Sequence, residues 1–216
     1  MRLQHYINEV NQMSDHMRGK IRNHIANDCK PFLKEFGVKY AHDFYIYRGL
    51  KRRSVKTADI IQSRTNRKPR LVSTKLHNYL NKIGKELFGW NIRSEGVFTG
   101  GYSVAKDYGK MFIFIPVGKY KYVYIDDTRD IYGLYDNFNY WSNEDEPYYG
   151  PENGKEKEEE LKEQIYHTYK NYYKTKGLLT KTDNTFESIF KCKEYLVINT
   201  DHVETLRNII REILEI

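Results

Sequence analysis

The chain has little of what holds small secreted proteins together or marks a membrane protein. Only two of its 216 residues are cysteine, Cys29 and Cys192, and they stand far apart. Two such cysteines form neither a disulfide framework nor a zinc site. A near-continuous apolar run at residues 111–117 is far too short to span a bilayer, and the N-terminus lacks the apolar segment of a signal peptide. We therefore expect a reduced, cytoplasmic protein without a membrane partner.

Tryptophan is also scarce, with 2 residues, whereas tyrosine is abundant, with 20. Tyrosine can stack on bases, but it also fills the faces of sheets, and we assign most of these residues to the second role. Lysine and arginine number 36 against 29 acidic residues, which gives a net charge of +7. This balance favours an anionic partner such as a nucleotide, a nucleic acid or an acidic protein surface. The excess is concentrated at residues 51–70, which form either a solvated loop or a binding surface.

Hydrophobic periodicity predicts an α+β protein that forms a single domain over residues 1–216. Apolar residues recur at three- and four-residue spacing in the N-terminal region up to residue 40 and in the tail from Val203, which predicts helices there. Ser73 or Thr74 is expected to cap a further helix that ends at Gly89. Strands are predicted at residues 44–50, 96–99, 111–117, 120–125 and 190–199, with irregular structure at 51–74. Residues 126–176 read as an acidic, tyrosine-rich loop or lid followed by a charged helix.

The most informative stretch is residues 93–116, RSEGVFTGGYSVAKDYGKMFIFIP. A short β-prone run ends at Gly100-Gly101, where glycine permits a positive φ or the close approach of a ligand. Ser103 is expected to cap one or two helical turns that stop at Gly109. Read alone, this stretch is an ordinary connection between two strands.

Three features occur in a fixed order along the chain. They are an arginine at the end of an early strand (Tyr47-Arg48-Gly49), the turn Phe98-Thr99-Gly100-Gly101 followed by Ala105 and Tyr108, and a glutamate before a late apolar strand (Glu194-Tyr195-Leu196-Val197-Ile198). In this order the chain resembles the ADP-ribosyltransferases of the arginine–serine–glutamate type, including those of bacteriophages and bacterial toxins. The resemblance spans about residues 44–200. It departs from the family in the Thr-Gly-Gly core and in Cys192, where arginine-directed members carry a glutamate.

The resemblance implies a split, mixed β core surrounded by helices, NAD as substrate and no metal. Glu194 would be the catalytic carboxylate, which stabilises the positive charge that develops on the ribose. Arg48 and Gly49 would contribute to NAD binding, the arginine through its pyrophosphate or ribose. The other residues expected to bind NAD are Phe98, Thr99, Gly100 and Gly101. The ring of Tyr102 or Tyr108 would stack on nicotinamide. We expect Arg48, Thr99 and Glu194 to line one cleft.

The acceptor of the ADP-ribose would be a macromolecule, a host protein or a nucleic acid, and a phage-encoded chain would act in the host cytosol. The candidate acceptor contacts are Arg52, Arg53 and Arg70. Three alternatives stay open at this point. The chain could be an NAD glycohydrolase that uses water as acceptor, a nucleic-acid-binding protein without catalysis, or an inhibitory binding protein that retains the transferase fold.

Overall fold

The computed structural model describes residues 13–51, 55–69, 72–125, 134–138, 151–178 and 185–216. The helices are α1 (Asp15–Asp28), α2 (Lys30–Tyr40), α3 (Thr74–Phe88), α4 (Ile92–Glu95), α5 (Tyr102–Ala105), α6 (Pro151–Tyr172) and α7 (Val203–Leu214). The strands are β1 (Tyr47–Leu50), β2 (Ala58–Gln62), β3 (Val97–Gly100), β4 (Lys110–Ile125) and β5 (Glu187–Asn199). The predicted α+β class is confirmed. Within the described ranges, no helix combines the length and the apolar character needed to cross a membrane.

The five strands form one sheet that closes on itself. Strand β5 pairs with β3, β3 with β1, β1 with β4, and β4 again with β5, while β2 is added along the second half of β5. All of these pairings are antiparallel, so the prediction of a mixed sheet is wrong. The closure brings β1, β3 and β5 together although they are far apart in sequence.

Helices cover the sheet through two hydrophobic clusters. The first packs α1, α2 and α7 against the sheet, and its fully buried side chains include Phe32, Phe36, Tyr40, Phe114 and Phe190. The second packs α3, α4 and α6 and includes Leu80, Ile83, Phe138, Tyr169 and Ile189. Most tyrosines of the sheet lie in these clusters, as expected for residues that fill sheet faces.

The buried hydroxyl of Tyr40, in the first cluster, has two backbone hydrogen-bond partners. The Tyr40 hydroxyl donates to the carbonyl of Phe114 at 2.8 Å and accepts from the backbone N–H of Ile46 at 3.0 Å. These two bonds join α2 to the start of β1 and to β4. Because both backbone groups are buried, the hydroxyl is needed to satisfy them.

Several local predictions hold and others need correction. Ser73 caps α3 and Gly89 ends it in the left-handed conformation, as predicted. The stretch 51–74 is not wholly irregular, because it contains β2. The predicted strands 111–117 and 120–125 form a single strand, β4, which continues through a register shift between Val117 and Tyr120. The predicted lid lies largely outside the described residues, apart from a helical turn at 134–138 and the start of α6.

The central turn also differs from its prediction in two details. Gly101, not Ser103, occupies the N-cap position of α5. Neither Gly100 nor Gly101 adopts a positive φ, whereas Gly109 does, at 124°. A short 3-10 turn at Lys106–Tyr108 follows α5 directly and stops at this glycine, so the predicted helical end is confirmed.

Candidate functional site

Two of the sequence segments singled out above meet the first residue of β5 across the sheet. In the register of the strands, Tyr47 of β1 lies opposite Gly100 of β3, and Gly100 lies opposite Glu187 of β5. Directly paired residues of antiparallel strands point to the same face of a sheet. Gly100 is therefore the link in the register between Tyr47 and Glu187, and the glutamate beside the Phe-Thr-Gly-Gly segment is Glu187. Around the other side of the sheet, Tyr47 pairs with Ile113 and Ile113 with Ile198, which puts the side chains of Tyr47 and Glu187 on opposite faces. The Glu187 carboxylate acts on Arg93 and on Tyr169 of the second cluster.

A small cleft opens at this meeting point. Its lining residues are Tyr47, Gly49, Phe98, Thr99, Val104, Ala105, Tyr108 and Glu187. The space amounts to about 200 Å³ including its open mouth. Much of that volume is open solvent, and the enclosed part has room for about one water molecule, so a dinucleotide requires this cleft to open. The ring of Tyr102 lies nearby, edge-on to Tyr47 at 5.9 Å, and is half exposed.

The two motif glycines have a packing role that can be read from the structure. A Cβ atom on Gly49 would lie 2.6 Å from Cβ of Tyr108 and closer still to the carbonyl oxygen of Ala105. A Cβ atom on Gly100 would lie 2.7 Å from the carbonyl oxygen of Phe186. Both glycines therefore allow backbone to approach backbone, and the predicted close approach of nicotinamide to Gly100 is not what requires glycine there.

Thr99 lines the cleft, but its hydroxyl is used within the sheet. It donates to the carbonyl of Ser188 at 3.1 Å and lies 2.8 Å from the Ser188 hydroxyl. Both side chains are buried. Since Ser188 follows Glu187 directly, these bonds fix the backbone that carries the glutamate.

Arg48 points to the other side of β1 from Tyr47. One of its terminal nitrogens donates to the carbonyl of Phe98, and the side chain also bonds to Tyr195. Burial lowers the pKa of Arg48, while Tyr195 and Tyr108 act in the opposite direction. Its Nε atom is shielded from solvent and has no hydrogen-bond partner among the described residues.

Glu194 does not line the cleft. In the register, Arg48 of β1 pairs with Phe112 of β4, and Phe112 pairs with Asn199 of β5. Glu194 lies five residues before Asn199 along β5, and the pairing between them is regular. Because side chains alternate along a strand, Glu194 points away from Arg48. Its carboxylate accepts a hydrogen bond at 2.6 Å from the amide of Gln62. The expectation that Arg48, Thr99 and Glu194 line one cleft is wrong, and the catalytic role of Glu194 stays a prediction.

The remaining predicted residues divide into two groups. Tyr102 lies beside the cleft and Tyr108 lines it, so either could stack on the ring of a ligand. Arg52, Arg53 and Arg70 lie outside the described residues.

The chain matches no protein-family model, no curated protein and no solved structure, so its function has to be inferred from its own geometry. Sequence reasoning missed Glu187, whose signal is weaker than that of Glu194, since Ser188 separates it from the short apolar pair Ile189-Phe190. It also missed that Arg67 and Arg93 converge on the ring of Phe98. These residues belong to separate segments, and nothing in their spacing predicts the contact.

Proposed function

We propose that the chain is an NAD-dependent ADP-ribosyltransferase with an ADP-ribosyltransferase-like fold, and that Glu187 is its catalytic carboxylate. The observation that carries the proposal is the register that aligns Tyr47, Gly100 and Glu187 across β1, β3 and β5. It unites the aromatic-Arg-Gly segment, the Phe-Thr-Gly-Gly segment and a strand-opening glutamate at one cleft. Those are the elements on which the resemblance to this class rests, with one glutamate exchanged for another.

The proposed reaction needs a carboxylate and little else from the protein. The N-glycosidic bond of NAD breaks, and nicotinamide leaves with the bonding electron pair. A nucleophile of the acceptor then bonds to the ribose carbon and loses its proton. The carboxylate of Glu187 stabilises the oxocarbenium-like charge that develops on the ribose, as a carboxylate does in glycoside hydrolysis.

Other residues of the cleft have supporting roles in this proposal. Tyr102 or Tyr108 stacks on the nicotinamide ring, and Thr99 holds the β5 backbone through Ser188. Opening the cleft to admit NAD requires movement of the 102–108 turn, which connects β3 to β4. The acceptor is a host protein or a nucleic acid, and water replaces it in a glycohydrolase.

A second candidate is a nucleotide-binding protein without turnover. The position of Glu187 favours it, because the carboxylate acts on Arg93 and on the buried Tyr169 of the second cluster. This candidate predicts that nucleotides bind while nicotinamide is never released. It would fit an inhibitory protein that retains the transferase fold.

The test compares the wild-type chain with Glu187→Gln and Glu194→Gln. Each protein is incubated with labelled NAD and a cell lysate, and free nicotinamide and macromolecular label are both measured. We expect Glu187→Gln to lower the rate of nicotinamide release by about 100-fold or more, the loss typical when a transition-state contact is removed. Glu194→Gln is expected to stay within a few-fold of wild type, since its carboxylate bonds to Gln62 outside the cleft.

Each other outcome has a definite meaning. A large loss with Glu194→Gln alone would return the catalytic role to Glu194. Release without macromolecular label would identify a glycohydrolase. Absence of release by the wild-type protein, with NAD bound, would favour the second candidate.

A further inference from the structure

Lysines from β4 and β5 share one face of the sheet. Lys121 of β4 lies directly opposite Lys191 of β5 in the register. Two residues along each strand, Val123 and Ile189 are paired in the same way and are buried in the second cluster. Because side chains alternate along a strand, the two lysines continue the face of this cluster toward solvent. Lys193 follows on the same face of β5, and both Lys121 and Lys193 are exposed.

Two more cations lie next to these lysines. Lys119 is exposed and lies in the register shift of β4, two residues before Lys121. Arg64 is exposed and follows Ser63, whose backbone N–H donates to the carbonyl of Lys193 at 2.9 Å. The five cations come from three segments of the chain, so they are neighbours only in the folded protein. We call them the basic surface: Arg64, Lys119, Lys121, Lys191 and Lys193.

The protein neutralises little of the charge of the basic surface. Lys191 forms an ion pair with Glu95 of α4. Among the described residues, no carboxylate forms an ion pair with any of the other four members. Lys121 and Lys191 moreover carry like charges at directly paired positions, an arrangement that destabilises a sheet. An extended anion bound across both lysines would remove this repulsion.

We infer that the basic surface binds the phosphate backbone of a nucleic acid. Lysine and arginine side chains are the usual donors to phosphate oxygens, and such contacts do not depend on base sequence. The core of a protein–protein interface is, by contrast, depleted of lysine and enriched in aromatic residues. The large apolar side chains that are exposed among the described residues lie outside β4, β5 and the segment 63–67, at Val38, Ile60, Tyr102, Tyr172 and Ile216.

The basic surface also lies close to the cleft. Phe98, which lines the cleft, pairs with Ile189, and Lys191 follows two residues later on β5. A nucleic acid on this surface would therefore pass beside the cleft and could serve as the acceptor of ADP-ribose. That last step rests on the proposed function, whereas the binding of nucleic acid does not.

Fluorescence anisotropy of a labelled DNA duplex and a labelled single-stranded RNA, titrated without NAD over a series of salt concentrations, tests the surface. The double variant Lys121→Gln, Lys193→Gln removes two exposed members. Its matched control is Lys20→Gln, Lys34→Gln, which removes the same charge from exposed positions of α1 and α2, the helices that cover the first cluster.

The expected readout is the slope of log affinity against log salt concentration. For duplex DNA each phosphate contact contributes about −0.9, so four unpaired cations give a slope of about −3 to −4 for the wild-type protein. The double variant at 121 and 193 should make this slope shallower by about 2 and should weaken binding to two unrelated sequences equally. The control should keep the wild-type slope. The variant Lys121→Arg, Lys193→Arg, which keeps both charges, should bind as the wild type does.

Several results would overturn the inference. Equal losses in the double variant and its control would reduce the effect to net charge. Poly-glutamate bound as tightly as the duplex would assign the surface to acidic proteins instead. Failure of both nucleic acids to bind at low salt would refute it directly. Melting curves confirm folding, and Lys121→Gln should melt no lower than wild type because it relieves the repulsion with Lys191. Binding of nucleic acid by a chain that never releases nicotinamide would support the surface while refuting the transferase.

Discussion

Replacing Gly49 by alanine tests whether the glycine of the Tyr-Arg-Gly segment serves packing or ligand binding. The added Cβ would lie 2.6 Å from Cβ and 2.9 Å from the carbonyl carbon of Tyr108, and it would overlap the carbonyl oxygen of Ala105. These are mostly backbone atoms, which cannot swing aside as the end of a flexible side chain could. Strand β1 or the 105–108 turn must therefore move.

Overpacking of this kind costs about 1–3 kcal/mol, and we expect the upper end because two backbone segments collide. For a chain of this length, each kcal/mol lowers the melting temperature by roughly 2–4 °C, so about 3 kcal/mol corresponds to roughly 6–12 °C. The same shift would displace the turn that carries Tyr108, so binding in the cleft should weaken as well.

The measurement is a urea unfolding curve for Gly49→Ala, with Gly19→Ala as the matched control. Gly19 lies within α1, and a Cβ there would meet nothing within 4 Å. The control should be stabilised by about 0.5–1 kcal/mol, since alanine is the better helix former. If Gly49→Ala unfolds within about 0.5 kcal/mol of wild type, the steric argument fails. Loss of nucleotide binding at unchanged stability would instead assign Gly49 to the ligand.

Three further predictions follow from burial. Burial, and after it the neighbouring Tyr47, raise the pKa of Tyr45 to about 12. The stability that the neutral phenol contributes is therefore complete below about pH 10 and is lost as the pH rises toward 12. An ultraviolet titration should show Tyr45 ionising at a higher pH in the native protein than in the unfolded protein. Burial raises the pKa of Cys29 to about 12 and of Cys192 to about 11, so iodoacetamide at about pH 8 should label neither thiol until the protein is unfolded, and rapid labelling of the native protein would contradict their burial. Tyr40→Phe should lower the free energy of unfolding by about 2–4 kcal/mol because two buried backbone groups lose their partner, and a loss below about 1 kcal/mol would mean that water replaces the hydroxyl.

Local signals account for the elements that were predicted well. Ser73 and Gly89 mark the two ends of α3 because capping and the left-handed conformation depend on neighbouring residues alone. The amphipathic tail likewise forms α7. By contrast, β2 was missed because its residues alternate weakly, and it exists through pairing with the distant β5.

In the candidate site, too, some features are visible in the sequence and others arise only when distant segments come together. Sequence by itself determined that an aromatic-Arg-Gly strand and a Phe-Thr-Gly-Gly strand occur in this chain and that its excess charge is positive. Only the tertiary structure decided which glutamate adjoins the Phe-Thr-Gly-Gly strand, since Glu187 pairs with Gly100 whereas Glu194 pairs with Gln62 and Val117. The contact of Arg67 with the ring of Phe98 likewise exists only in the folded chain, because the two residues belong to distant segments. Register and closure depend on contacts between distant residues, and these are what a one-dimensional pattern does not contain.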